Sequence, residues 1–122
     1  MGRKILVIDD NEGDRVLIRE LLRENGIVCE LVMAASGKDG MEKVPQEKPD
    51  VVLIDTNLKE IDGFEVCRLI RAMPGIDAKL IIMTGVVDAL DAGRARRSGA
   101  DDFCVKTSDC ESIIQAVRKI IG

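Results

Sequence analysis

Histidine, tryptophan and tyrosine are absent from this 122-residue chain, and phenylalanine occurs only twice. Without histidine, no Ser-His or Cys-His nucleophile can be assembled within the chain. The four cysteines, Cys29, Cys67, Cys104 and Cys110, form no Cys-x-x-Cys pair, which together with the missing histidine argues against a zinc site. They read instead as buried, reduced thiols of a cytosolic protein. The apolar runs extend only a few residues, too short to span a bilayer. Residues 1–10 also lack the basic start, long apolar stretch and cleavage site of a signal peptide. Cytoplasmic is therefore the default location, with no membrane partner. Excess positive charge is missing too: 18 basic against 22 acidic residues leave a net charge of −4, which argues against direct nucleic-acid binding. Arg94-Ala95-Arg96-Arg97 is the one basic run, and it reads as a solvated helix face before a docking patch.

What is present describes a globular domain, with 46% hydrophobic and 33% charged residues and a length suited to one core. Val51-Val52-Leu53-Ile54-Asp55 is the central stretch: an apolar run expected as a strand buried on both faces and ending in a carboxylate. Lys4–Ile8 is a similar run ending at Asp9-Asp10, and Lys79–Met83 another, ending at Thr84-Gly85. Val28–Ala34 and Asp102–Val105 complete a set of five strands. Between them lie helical patterns. The first carries Leu17, Ile18, Leu21 and Leu22 and closes at Gly26; the second opens at Ser36-Gly37 and is expected to stop at Pro45. The third runs from Gly63 to Pro74-Gly75, and the fourth from an Asp88 cap to about Ser98, with Gly99 ending it. The fifth starts from a Ser108-Asp109-Cys110-Glu111 capping box and turns Ile113, Ile114, Val117, Ile120 and Ile121 inward. Strands alternating with helices predict an α/β fold, a doubly wound parallel sheet in a single domain over 1–122. There is no internal repeat, low-complexity tract or linker.

Parallel strands place their C-terminal ends on one edge, where open α/β sheets bind ligands. That edge is expected to gather Asp9, Asp10, Asp55, Thr84 and Lys106. Three close carboxylates repel one another unless a cation neutralises them. An all-oxygen set suits a hard ion, and Mg2+ is the natural choice. Beside such an ion Asp55 is a candidate nucleophile toward phosphorus, with Lys106 and Thr84 contacting phosphoryl oxygens. Each residue also has a plain structural account. Asp9 and Asp10 suit the start of a helix, Thr84 a strand terminus and Asn57 a turn. Lys106 has a solvent-facing alternative, and Phe103 serves as core filler.

The chain resembles, from end to end, the receiver domain of bacterial two-component response regulators. The matching pieces are Val7-Ile8-Asp9-Asp10 with Asn11-Glu12, Leu53-Ile54-Asp55 with Asp62-Gly63, Met83-Thr84-Gly85, and Gly99-Ala100-Asp101-Asp102-Phe103 leading to Lys106. The resemblance implies a flavodoxin-like fold of five helices and strand order 2-1-3-4-5. It implies that Asp55 is the phosphoacceptor and that Asp9 and Asp10 bind Mg2+, Asp10 directly and Asp9 partly through water. Asn57 would complete the metal site through its backbone carbonyl, its side chain influencing how long the phosphoryl group lasts. Thr84 and Lys106 would contact the phosphoryl group, and Phe103 would turn inward as a switch aromatic when Thr84 moves. The implied donor is a sensor histidine kinase or a histidine phosphotransfer protein. A homodimer through the fourth helix, fifth strand and fifth helix is allowed by the resemblance and left open by the sequence. Two departures stand out. Thr107 follows Lys106 where the family usually has proline, so a trans peptide bond is expected. Lys59 replaces a common proline of the acceptor loop.

The expected function is thus a phosphoacceptor signalling module that catalyses its own phosphorylation and dephosphorylation without being a turnover enzyme. The alternative is a receiver-like interaction module that is not phosphorylated. An aspartyl phosphatase would place a second Asp two residues after the first, where Asn57 stands. A nucleotide binder would show G-x-G-x-x-G or a P-loop, and neither occurs. No DNA-binding segment is expected from this sequence, so the output is expected from an interaction surface or from a domain elsewhere.

Overall fold

A computed structural model describes residues 3–85, 89–106 and 111–121 of the chain. The elements alternate without exception: β1 (Arg3–Ile8), α1 (Glu12–Glu24), β2 (Cys29–Ala34), α2 (Gly37–Glu47), β3 (Val51–Asp55), α3 (Gly63–Arg71), β4 (Lys79–Thr84), α4 (Ala89–Arg97), β5 (Asp102–Val105) and α5 (Glu111–Ile121). All strand pairs are parallel, in the order β2-β1-β3-β4-β5. This is the expected topology. Its switch point lies between β1 and β3, whose following chains leave the sheet toward opposite faces.

The period-2 pleat explains why these strands are apolar at successive positions. Leu6, Ile8, Val52, Ile54, Leu80 and Ile82 face one layer, packed with Val66, Cys67 and Ile70 of α3 and Val44 of α2. Ile5, Val7, Val51, Leu53, Ile81 and Met83 face the other, against Ile18 and Leu22 of α1 and Ile113, Ile114 and Val117 of α5. Both faces are covered, so the three central strands carry no solvent-facing alternation. Cys67 and Cys104 are buried thiols and Cys29 is partly covered. Among the described residues, no helix is long and apolar enough to cross a membrane.

The helix ends follow local chemistry. Asn11 caps α1, its side chain accepting from the Asp14 amide at 2.9 Å, and Gly26 follows its end at φ 72°. Asp62 caps α3 in the same way through the Glu65 amide, and Gly99 follows α4 at φ 93°. Two boundaries and one core position differ from expectation. Pro45 does not stop α2, which continues to Glu47. A proline late in a helix forfeits one amide, but the turn still closes through the Lys48 amide on the Val44 carbonyl at 2.9 Å. The effective stop is Pro49, which disfavours helical backbone at the residue before it, and Lys48 adopts a left-handed φ of 50°. Leu17 is exposed, because α1 turns Ile18 and Leu22 to the core. Val28 is 84% exposed and precedes β2, which begins at Cys29. The Asp88 cap, the Ser108–Glu111 capping box and the Lys106-Thr107 bond lie outside the described residues.

Candidate functional site

The strand ends converge. Asp9 follows β1 and Asp55 ends β3; each carboxylate is buried, and Asp10 beside them is half-buried. One oxygen from each of the three lies within 4.8 Å of the others. Asp9 is held from two directions. Its side chain accepts from the Asn11 amide at 2.9 Å, and its carbonyl accepts from Arg15 Nη1 at 2.7 Å. Parity places these groups: Asp9 continues the face of Ile5 and Val7, and Asp55 that of Val51 and Leu53. Lys106 continues the face of Cys104 on β5. Its backbone amide bonds the Thr84 carbonyl at 2.7 Å, so its side chain reaches across β4 toward β1 and β3.

Lys106 Nζ lies 2.8 Å from Asp9 Oδ2, 2.6 Å from Asp14 Oδ2 and 3.6 Å from Asp55 Oδ1. Burial opposes the charge on Lys106, but hydrogen bonds to Asp14 and Asp9 and the Asp55 charge outweigh it and raise its pKa. The ammonium therefore stays charged across the physiological range. Asp55 is shifted upward, first by burial and then by the Asp9 charge. Lys106 and a hydrogen bond from the Asn57 backbone amide oppose that shift, and the Asp10 charge adds to it. The site thus holds one carboxylate that is destabilised as an anion, with Lys106 and the Asn57 amide offsetting that in part. An added cation among three oxygens would relieve that strain, so the donor set fits a hard divalent ion.

Thr84 occupies the same edge, while Phe103 lies two positions lower, level with Ile82. Thr84, at the end of β4, is buried. Phe103 on β5 is half-buried and packs on the layer of α2, α3 and α4, the face that alternation also assigns to Thr84. Asn57 is exposed, and a hydrogen bond from its backbone amide favours the charged form of Asp55. Gly63 explains the Asp62-Gly63 pair: a Cβ there would lie 2.1 Å from the Asp55 carbonyl oxygen and 2.8 Å from Thr56 Cα. Asp62 also accepts from Arg94 Nη2 at 3.3 Å, and the Arg94 guanidinium lies 4.2 Å above the Phe64 ring. Arg94, Arg96 and Arg97 are all solvent-exposed, the arrangement expected of a solvated helix face.

Sequence reasoning missed Asp14 and Arg15. Both lie in the first turns of α1, directly above Asp9, and the available signal was their distance from the end of β1 rather than any motif. The Asp14 contact with a lysine 92 positions later has no local trace.

Comparisons with known proteins agree with this fold. The profile of the response regulator receiver domain matches residues 5–118. The response regulator protein VraR of Staphylococcus saprophyticus is 32% identical over 120 residues, covering 98% of this chain and 56% of that protein. Protein PilG of Pseudomonas aeruginosa is 28% identical over 118 residues, covering 96% of this chain and 86% of that protein. The chain spans about half the length of the first curated relatives it matches. Among solved structures, the chemotaxis protein CheY4 of Vibrio cholerae superposes with a TM-score of 0.89 over 99% of this chain and 100% of that one, at 21% identity, which speaks for the fold alone. With a profile match across nearly the whole sheet and an acidic edge built by the strands it covers, the chain belongs to the receiver domain family of two-component response regulators.

Proposed function

We propose that Asp55 accepts a phosphoryl group from the phosphohistidine of a sensor histidine kinase or a histidine phosphotransfer protein. One observation carries the reading: a buried carboxylate within reach of both a lysine ammonium and two further carboxylates. Asp9, Asp10 and Asp55, with the Asn57 backbone carbonyl, would hold Mg2+. When bound, that ion would offset the repulsion between these carboxylates and the incoming phosphoryl anion.

The chain's own groups do the rest. An oxygen of Asp55 attacks phosphorus, a P–O bond forms, and the donor P–N bond breaks with its electron pair remaining on the imidazole. Lys106 offers an ammonium to one phosphoryl oxygen and Thr84 a hydroxyl to another, which is charge stabilisation of the kind phosphoryl transfer requires. Hydrolysis runs through the same groups: water attacks phosphorus, and Asp55 leaves as the carboxylate. Movement of Thr84 toward the phosphoryl group opens room for Phe103 to turn inward, which changes the surface of α4, β5 and α5. A homodimer through that surface, one receiver domain over 1–122 and a cytoplasmic setting belong to the same reading.

Incubation with acetyl phosphate and Mg2+ tests it. Mass spectrometry is expected to find one acid-stable, base-labile phosphoryl adduct that Asp55→Asn abolishes. Equal labelling of that variant assigns the acceptor elsewhere, and no labelling of the parent favours an interaction module that is not phosphorylated.

A further inference from the structure

Lys106 is shared by three carboxylates, and its shortest contact is not with Asp55. Nζ sits 2.6 Å from Asp14 and 2.8 Å from Asp9, against 3.6 Å from Asp55. An ammonium has three N–H donors; two are engaged at Asp14 and Asp9, while Asp55 lies beyond hydrogen-bond distance. Any approach of Nζ toward a phosphoryl oxygen on Asp55 stretches the two short contacts. Asp9 has a fully buried side chain, and leaving it unpaired there is costly. The Asp14 side chain is 37% exposed, so water replaces the lost ammonium most cheaply at that position.

From this geometry we propose that Asp14 is a positioning residue: it holds the Lys106 ammonium back from Asp55 in the unmodified chain and releases it when a phosphoryl group arrives. The inference rests on Asp55 being the phosphoacceptor. A simpler account of Asp14 exists, since an acidic residue in the first turn of α1 is favourable at the positive end of the helix. That account explains the residue type. It does not explain why the carboxylate meets an ammonium from the far edge of the sheet, where Asn11 has already satisfied the turn through the Asp14 amide.

Affinity for beryllofluoride, a phosphoryl mimic, distinguishes the two roles in the full chain with Mg2+ present. Asp14→Ala and Asp14→Asn are expected to tighten binding by roughly two- to fivefold, the range of a partly exposed ion pair. In the Lys106→Met background the same substitutions are expected to leave affinity unchanged, because the effect passes through the lysine. An equal gain in both backgrounds shows that Asp14 acts only as a negative charge near an anion site and overturns the proposal. No gain in the parent background overturns it as well. A helix-end role alone moves thermal stability and leaves beryllofluoride affinity where it was. If the parent chain neither binds beryllofluoride nor accepts phosphate from acetyl phosphate, the phosphoacceptor reading fails, and the proposal falls with it. If the parent is labelled on Asp55 while Asp14 substitutions change nothing, only the role of Asp14 is lost.

Discussion

Gly63 shows how little room the Asp55 end of β3 leaves. Its missing side chain lets α3 begin against the Asp55 carbonyl, and its amide bonds the Thr56 carbonyl at 3.2 Å. The obstacle to a Cβ is backbone rather than a yielding side chain, so the loop itself must shift. Gly63→Ala is expected to cost about 1–3 kcal/mol, as overpacking does. Urea unfolding reads that loss directly, and slower labelling by acetyl phosphate would accompany it because Asp55 moves with the loop. An alanine variant as stable and as readily labelled as the parent would show that the loop yields freely. At this scale the carboxylates and the lysine were legible in the sequence, since each stands immediately after an apolar run. Asn11 as the cap, Asp14 on Lys106 and the Asn57 amide on Asp55 were not. Their roles depend on where a neighbouring segment stops and how a side chain is aimed, and neither leaves a periodic mark.

Among the elements, the central strands were the most legible. Three apolar runs need two covered faces, and alternation with helices makes a parallel sheet the economical arrangement. Helix ends were less so, because Pro45 and Pro49 compete to stop α2 and the winner depends on backbone closure at Lys48. Less visible still is the joint where α3, β4 and the loop before β5 meet. Arg71 donates to the Gly99 carbonyl at 3.0 Å and the Ala78 carbonyl at 3.3 Å, and to Asp101 Oδ2 at 2.6 Å. The same Asp101 oxygen accepts the Leu80 amide at 2.8 Å. This joint sits at the end of the sheet away from Asp55 and fixes the start of β4 while its far end, at Thr84, meets the acidic edge. Asp101→Ala removes an acceptor from both donors and is expected to destabilise the chain by about 1–3 kcal/mol. Because Asp101 and Arg71 are each about one-third exposed, solvent softens the loss toward the lower figure. Denaturant melting checks the stability, and beryllofluoride affinity is expected to hold because the joint lies far from the site. A large loss of affinity would mean that the two ends of β4 are coupled.

For the whole molecule, the acidic edge sets a conflict between folding and chemistry. Folding brings Asp55 out of water and next to Asp9, which raises its pKa above 3.8. The folded chain then holds its proton to higher pH than the unfolded chain does. Stability from this group is therefore greatest in acid and falls as pH climbs from the unfolded carboxylate range through the raised folded value. Lys106 has the opposite place on the scale: its raised pKa contributes stability below the ordinary lysine range that is lost only in strong alkali. Between these limits the metal-free chain carries at its acidic edge a carboxylate that Lys106 and the Asn57 amide compensate only in part. Asp55→Asn is expected to stabilise it at neutral pH, and the difference between the two proteins should grow as pH rises from about 4. A divalent ion that binds only the folded chain adds stability as its concentration exceeds its dissociation constant, by about 2.7 kcal/mol at a hundredfold excess. Chelating Mg2+ is thus expected to lower the unfolding midpoint of the parent and leave the Asn variant nearly unmoved, since one of its three carboxylates is gone. Melting curves of both proteins across that pH range, with and without the ion, decide the matter. A parent that is equally stable with and without Mg2+, and no less stable than Asp55→Asn at neutral pH, would mean that the three carboxylates meet without strain and have no need of a cation.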